Sequence, residues 1–183
     1  VGYLVVKQFN VEECVMPDAV DRILAQWQAE RPDLDASPMG IVGRIKRVGR
    51  LLEHGLGEYF GEHDLQSWEF DILATLRRSG PPYQLTAGAL VASSMITSGA
   101  MTNRIDRLSA RGLVTRRVDP GNRRSVLIAL TDEGRELIDR AVTGHVANED
   151  RLLAGLSAAQ RDQLADLLRT LALHLGDKAP AER

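Results

Sequence analysis

The run Met101-Thr102-Asn103-Arg104-Ile105-Asp106-Arg107-Leu108-Ser109-Ala110-Arg111-Gly112-Leu113-Val114 decides the fold. Met101, Ile105 and Leu108 recur at i, i+4 and i+7, so one helix face is apolar and turns inward, leaving Ser98, Gly99, Thr102, Asn103 and Asp106 outward. Thr97 stands at the N-cap of this helix, which runs from Ser98 to about Ala110, and Gly112 closes it. Just upstream, Thr86 caps a shorter helix from Ala87 to about Ser93, and the short link between the two is the spacing of a helix-turn-helix. Just downstream, Leu113–Val118 and Ser125–Leu130 read as strands around the turn-rich, basic segment Asp119-Pro120-Gly121-Asn122-Arg123-Arg124. The predicted fold is mainly α with a small β-hairpin wing: a winged helix-turn-helix.

Charge points the same way. The chain of 183 residues has a net charge of −2, so a polyanion must be met by a local patch. Between Ser98 and Arg124 there are seven arginines (104, 107, 111, 116, 117, 123 and 124), no lysine, and only Asp106 and Asp119 in opposition. That local excess of five positive charges leaves the rest of the chain at −7. Phosphates supply much of the affinity for duplex DNA, and guanidinium grips phosphate or guanine in a two-pronged fork. Thr102, Asn103 and Ser98 are the candidates for base edges, Arg104 and Arg107 for phosphate or base, and Arg123 and Arg124 for the minor groove. The expected partner is a double-stranded DNA operator.

Working outward, Asp18 caps an amphipathic helix with Val20, Ile23, Leu24 and Trp27 on one face. Ser37-Pro38 then opens a helix along which Ile41, Ile45, Val48, Leu52, Leu56 and Tyr59 keep the period. A third helix runs from about Ser67 to Arg78 and stops at Ser79-Gly80-Pro81-Pro82. The adjacent His63-Asp64 is expected to cap it, and Trp68 to lie in the core. After the wing, Thr131-Asp132-Glu133 begins a helix with acids in its first turn. Ser157-Ala158-Ala159-Gln160 has the pattern of a capping box, and Leu164, Leu167, Leu168, Leu171 and Leu175 make a stripe suited to a subunit interface. The organisation expected is an N-terminal extension over residues 1–15, dimerisation and pocket helices over 16–62, a winged helix-turn-helix over 63–131, C-terminal dimerisation helices over 132–177 and a tail over 178–183.

Other classes find less support. Four histidines, His54, His63, His145 and His174, are scattered without an HExxH or CxxC arrangement, and there is no GxSxG, P-loop or dinucleotide fingerprint. No enzyme activity, catalytic residue, cofactor or metal ligand is expected. The single cysteine, Cys14, lies beside Glu12 and Glu13, which raise a thiol pKa, and reads as an incidental thiol. No run approaches 18 apolar residues, and the N-terminal stretch lacks a basic leader, so no membrane association and a cytoplasmic location are expected. A helical adaptor without DNA binding explains the leucine-rich ends but leaves the basic wing without a purpose.

The stretch Met101 to Leu108, then Arg111-Gly112-Leu113-Val114, Arg117, Asp119-Pro120, Arg123-Arg124 and Leu130-Thr131-Asp132-Glu133-Gly134, resembles the MarR family of winged-helix transcription regulators, and the likeness runs from about Ser37 to Gly176. The resemblance implies a homodimer built by the first and last helices, with two winged lobes on a pseudopalindromic operator, usually repressing a neighbouring gene. One departure is Asn122, where the family's wing commonly carries an acid ahead of the paired arginines.

The additional helix bearing Trp27, followed by Glu30-Arg31-Pro32-Asp33-Leu34-Asp35, is similar to the urate-responsive PecS/HucR-type branch of that family. That likeness implies a small anionic ligand, urate or a related purine, held by Trp27, Asp71, Arg104 and Arg116 with Arg78 close by. An anion near Asp71 would repel that carboxylate and attract Arg104, tilting the recognition helix. A citrate-like carboxylate or a metal sensed within the same fold are the alternatives.

Overall fold

The computed structural model describes residues 16–93 and 101–177. The elements run α1 (Ala19–Glu30), α2 (Ser37–Glu62), α3 (Ser67–Arg78), β1 (Gln84–Thr86), α4 (Ala87–Ser93), α5 (Met101–Ala110), β2 (Val114–Asp119), β3 (Asn122–Leu130), α6 (Asp132–Leu152) and α7 (Ala158–His174). They form two compact units, one up to Leu51 and one from Leu52 onward, with α2 contributing residues to each.

In the first unit, Asp18 caps α1 by accepting hydrogen bonds from the Val20 and Asp21 amides, while Asp21 returns the favour at the Asp18 amide. Arg44 of α2 reaches the same corner, donating to Asp18 (2.9 Å) and Asp21 (2.6 Å). Val20 is the buried side chain here; Ile23, Trp27, Ile41, Val42, Ile45 and Val48 stay exposed.

The second unit holds the core. Ile72, Leu73 and Leu76 of α3, Leu90 of α4, and Ile105 and Leu108 of α5 pack with Ile128 of β3 and Ile138 of α6. As the spacing predicts, Met101, Ile105 and Leu108 are the buried side of α5. Thr131 caps α6 by accepting from the Gly134 amide, and Ser157 and Gln160 form the box that opens α7. The leucine stripe of α7 faces solvent in this single chain, from Leu171 at 37% exposure to Leu175, just past the helix, at 75%.

The sheet has three antiparallel strands in the order β1-β3-β2. Two features differ from expectation. Gln84–Thr86 pairs as a third strand with Leu127–Ala129, while the Thr86 hydroxyl still caps α4 by accepting from the Ala89 amide. The wing turn is also tighter than its composition suggests. Asp119 pairs directly with Asn122, so Arg123 and Arg124 belong to β3 rather than to a loop.

The cap of α3 is a correction. Gln66, not His63-Asp64, takes the N-cap position, and Glu69 accepts from the Gln66 amide. His63, just past the end of α2, turns back on Tyr59 of that helix. Asp64 adopts a left-handed backbone, at φ 51°, and serves a different helix, as described below.

Candidate nucleic-acid interface

Recognition depends on what α5 presents and on what holds it. Thr102, Asn103 and Asp106 are exposed beside the buried Met101–Ile105–Leu108 face, as the helical period requires. Ser98, assigned to the same outward surface, lies outside the described residues. Gly112 ends the helix with φ +72°, a conformation that a side chain disfavours, and the chain passes directly into β2.

Three arginines at i, i+3 and i+7, two on α5 and Arg111 just past its end, turn toward the start of α3. Arg104 and Arg107 lie over the Trp68 ring, with Cζ at 5.6 and 5.1 Å from its centroid. Arg111 is clamped. Its Nη1 donates to both oxygens of Glu69 at 3.0 Å, and its Nη2 donates to the Asp64 carbonyl (2.9 Å) and carboxylate (3.1 Å). Glu69 is only 3% exposed, so its charge depends on Arg111 and on the Gln66 amide. The C-terminal end of α5 is thereby fastened to the turn between α2 and α3.

On its other side, α5 is joined to the wing. Asp106 accepts a hydrogen bond from Arg116 of β2, and Arg117 on the same strand donates to Gln84 of β1. Arg123 and Arg124 are exposed on β3. The turn is self-contained: Asp119 accepts from the Gly121 amide (2.8 Å) and Asn122 from the Arg124 amide (3.1 Å). Asn122 thus orients the backbone of the turn.

Beneath the wing is a cavity of about 380 Å³ lined by Ala87, Gly88, Val91, Met101, Thr102, Ile105, Arg116, Val126 and Ile128. Its walls are largely aliphatic, and Thr102 and Arg116 are its polar groups. Of the residues assigned to a ligand, the structure brings Arg116 to this cavity and Arg104 to Trp68. Asp71 is partly buried and engaged on α3. Arg78 donates to the Ser93 carbonyl at 2.5 Å, and Trp27 lies on α1 in the first unit, 38% exposed. Among the described residues no cluster of three or more metal-ligating side chains occurs, and no helix is long and apolar enough to cross a membrane.

The sequence did not single out Trp68, Glu69 or Asp64 as parts of this surface. The visible signal was the spacing of Arg104, Arg107 and Arg111, which puts them on one helix face and requires something opposite them.

A capped short helix followed by an arginine-bearing helix and a basic hairpin tied to it define a winged-helix DNA-binding regulator. Residues 63–125 match the MarR family model. Over 156 residues, 85% of this chain and 94% of the relative, the sequence is 44% identical to the HTH-type transcriptional regulator PecS of Dickeya dadantii. Among solved structures it resembles a mutant MarR from E. coli complexed with operator DNA (TM-score 0.65, 26% identity, 73% of this chain and 93% of that one). It also resembles Bordetella bronchiseptica BpsR, whose DNA binding is regulated by 6-hydroxynicotinic acid (TM-score 0.66, 26% identity, 72% and 92% covered). The chain belongs to the MarR family of transcription regulators.

Proposed function

We propose that this regulator is a repressor that binds a pseudopalindromic operator as a homodimer and is released by a small, flat organic anion such as urate. The exposed apolar rows of α1, α2 and α7 supply the surfaces that a second copy would cover. Thr102 and Asn103 would meet base edges, Arg104 and Arg107 phosphates or bases, and Arg123 and Arg124 the minor groove.

One observation carries the ligand reading: Arg116 at once lines the 380 Å³ cavity and holds Asp106 of the recognition helix. An anion entering the cavity competes with Asp106 for the same guanidinium. Losing that partner frees α5 from the wing, and the ligand and the operator then favour different arrangements of one element. A hundredfold weakening of operator binding requires about 2.7 kcal/mol of coupling. The largely aliphatic walls favour a flat, singly charged acid over citrate, because a tricarboxylate would leave further charges against apolar atoms. Asp71, Arg104 and Arg78 belong to the same proposal as further contacts to the ligand.

The test is fluorescence anisotropy with a duplex from the chain's own upstream region, titrated with urate or citrate. Urate is expected to weaken binding by the wild-type protein and to have much less effect on Arg116→Ala. An equal urate response in the two proteins rules out the Arg116 cavity. A stronger response to citrate than to urate would make the ligand a carboxylate of the other class.

A further inference from the structure

Trp68 stands at the second position of α3, and its indole N–H donates to Oε1 of Gln66, the N-cap residue, at 2.5 Å. That bond at the ring's edge fixes the plane in which the indole lies. Across its face are the guanidiniums of Arg107 and Arg104, brought side by side by their i, i+3 spacing. Two like charges at that spacing repel, and long arginine side chains lose much rotational freedom when fixed. An aromatic face offsets both effects, because its negative quadrupole attracts each cation. Arg104 makes the dependence plain: its Nη1 is buried and has no hydrogen-bond partner among the described residues. A buried N–H without an acceptor is unfavourable, and the Trp68 ring, its centroid 5.6 Å from Cζ, is the aromatic group beside this guanidinium.

We propose that Trp68 is a positioning residue for operator binding, its indole holding Arg104 and Arg107 in a pre-ordered pair before DNA arrives. The proposal rests on the reading above that these two arginines meet DNA. Trp68 itself touches no base or phosphate. It acts by lessening the ordering required on binding, much as a preformed loop does.

Trp68→Leu keeps an apolar side chain but removes the π face, whereas Trp68→Phe keeps the face and loses only the N–H. Binding is measured on a duplex selected from a random pool by the wild-type protein, with thermal midpoints recorded in parallel. Trp68→Leu is expected to raise Kd roughly tenfold. The dependence of log Kd on log salt should stay unchanged, because the same phosphates are still neutralised. Trp68→Phe should recover most of the affinity. In a chain already carrying Arg104→Ala and Arg107→Ala, Trp68→Leu should have no further effect on Kd.

An equal loss in both backgrounds, or a Phe variant as weak as Leu, overturns the proposal. If the double arginine variant binds as well as wild type, the DNA-facing assignment of the arginines fails first and the role of Trp68 falls with it. Should Trp68→Leu not fold, Trp68 emission in a Trp27→Phe chain provides the readout. Removing the two arginines must change that emission, and an unchanged spectrum overturns the stacking on which the proposal stands.

Discussion

Replacing Arg111 by alanine tests the clamp on the recognition helix. The two legs of the clamp differ in environment. Asp64 is 99% exposed at its side chain, so its ion pair contributes at most about 1 kcal/mol. Glu69 is 4% exposed at its side chain and accepts from Arg111 at 3.0 Å, and removing one partner of a buried pair typically costs about 3–5 kcal/mol. Arg111 is itself 33% exposed, so water enters where the guanidinium leaves and solvates part of the stranded carboxylate. The expected loss is therefore below that range, about 2–3 kcal/mol. For a chain of this length about 2–4 °C accompanies each kcal/mol, which places the fall in melting temperature near 5–10 °C. Calorimetry or circular dichroism measures it at fixed protein concentration, since dimerisation would make the midpoint concentration-dependent. The double replacement Glu69→Leu with Arg111→Leu should recover much of the loss, because exchanging both charges for apolar groups leaves no stranded carboxylate. A midpoint for Arg111→Ala within about 1 °C of wild type would refute the argument that Glu69 depends on this partner.

Other perturbations probe separate parts of the molecule. A Cβ at Gly134 would sit 2.0 Å from the Leu113 carbonyl oxygen, so Gly134→Ala must part α6 from the start of β2. A loss of roughly 3 kcal/mol in urea unfolding is expected, and a neutral effect would show that this contact yields freely. Asn103→Ala should cost about 1–3 kcal/mol on the cognate duplex and little on a scrambled one. Arg124→Ala should weaken both and lower the salt slope by about one, and identical behaviour of the two variants contradicts their assignment. The Asp18 carboxyl is held below its usual 3.8, chiefly by the Asp21 amide, with the Val20 amide and Arg44 adding to the effect and burial opposing it. Its stabilising contribution is complete above 3.8 and is lost as pH falls through the lower folded value. Acid titration of Trp27 emission in a Trp68→Phe chain should show α1 loosening below that pH, whereas Asp18→Asn should lack this step.

Much of this surface was legible because local rules and tertiary need agree there. The apolar period of Met101, Ile105 and Leu108, the stop at Gly112 and the caps at Asp18, Thr131 and Ser157 each follow from a few neighbouring residues. β1 was illegible because three residues show no period, and its strand character arises only from pairing with β3. His63-Asp64 looked like a cap from sequence alone, but Gln66 and Glu69 fill that position and Asp64 finds a partner 47 residues away in Arg111. Trp68, read as core, does pack against the core but is only partly buried, and its ring also carries two arginines more than 30 residues downstream. Such pairings depend on how helices cross, which a one-dimensional pattern does not encode.

The wing turn has one more consequence. Pro120 through Arg124 expose their side chains and take their shape from bonds within the turn, so they owe almost nothing to the packed interior. Mutation can rewrite those few residues without jeopardising folding. Whatever the turn touches, the strength of its grip can therefore drift between descendants of this chain independently of how firmly the fold holds together.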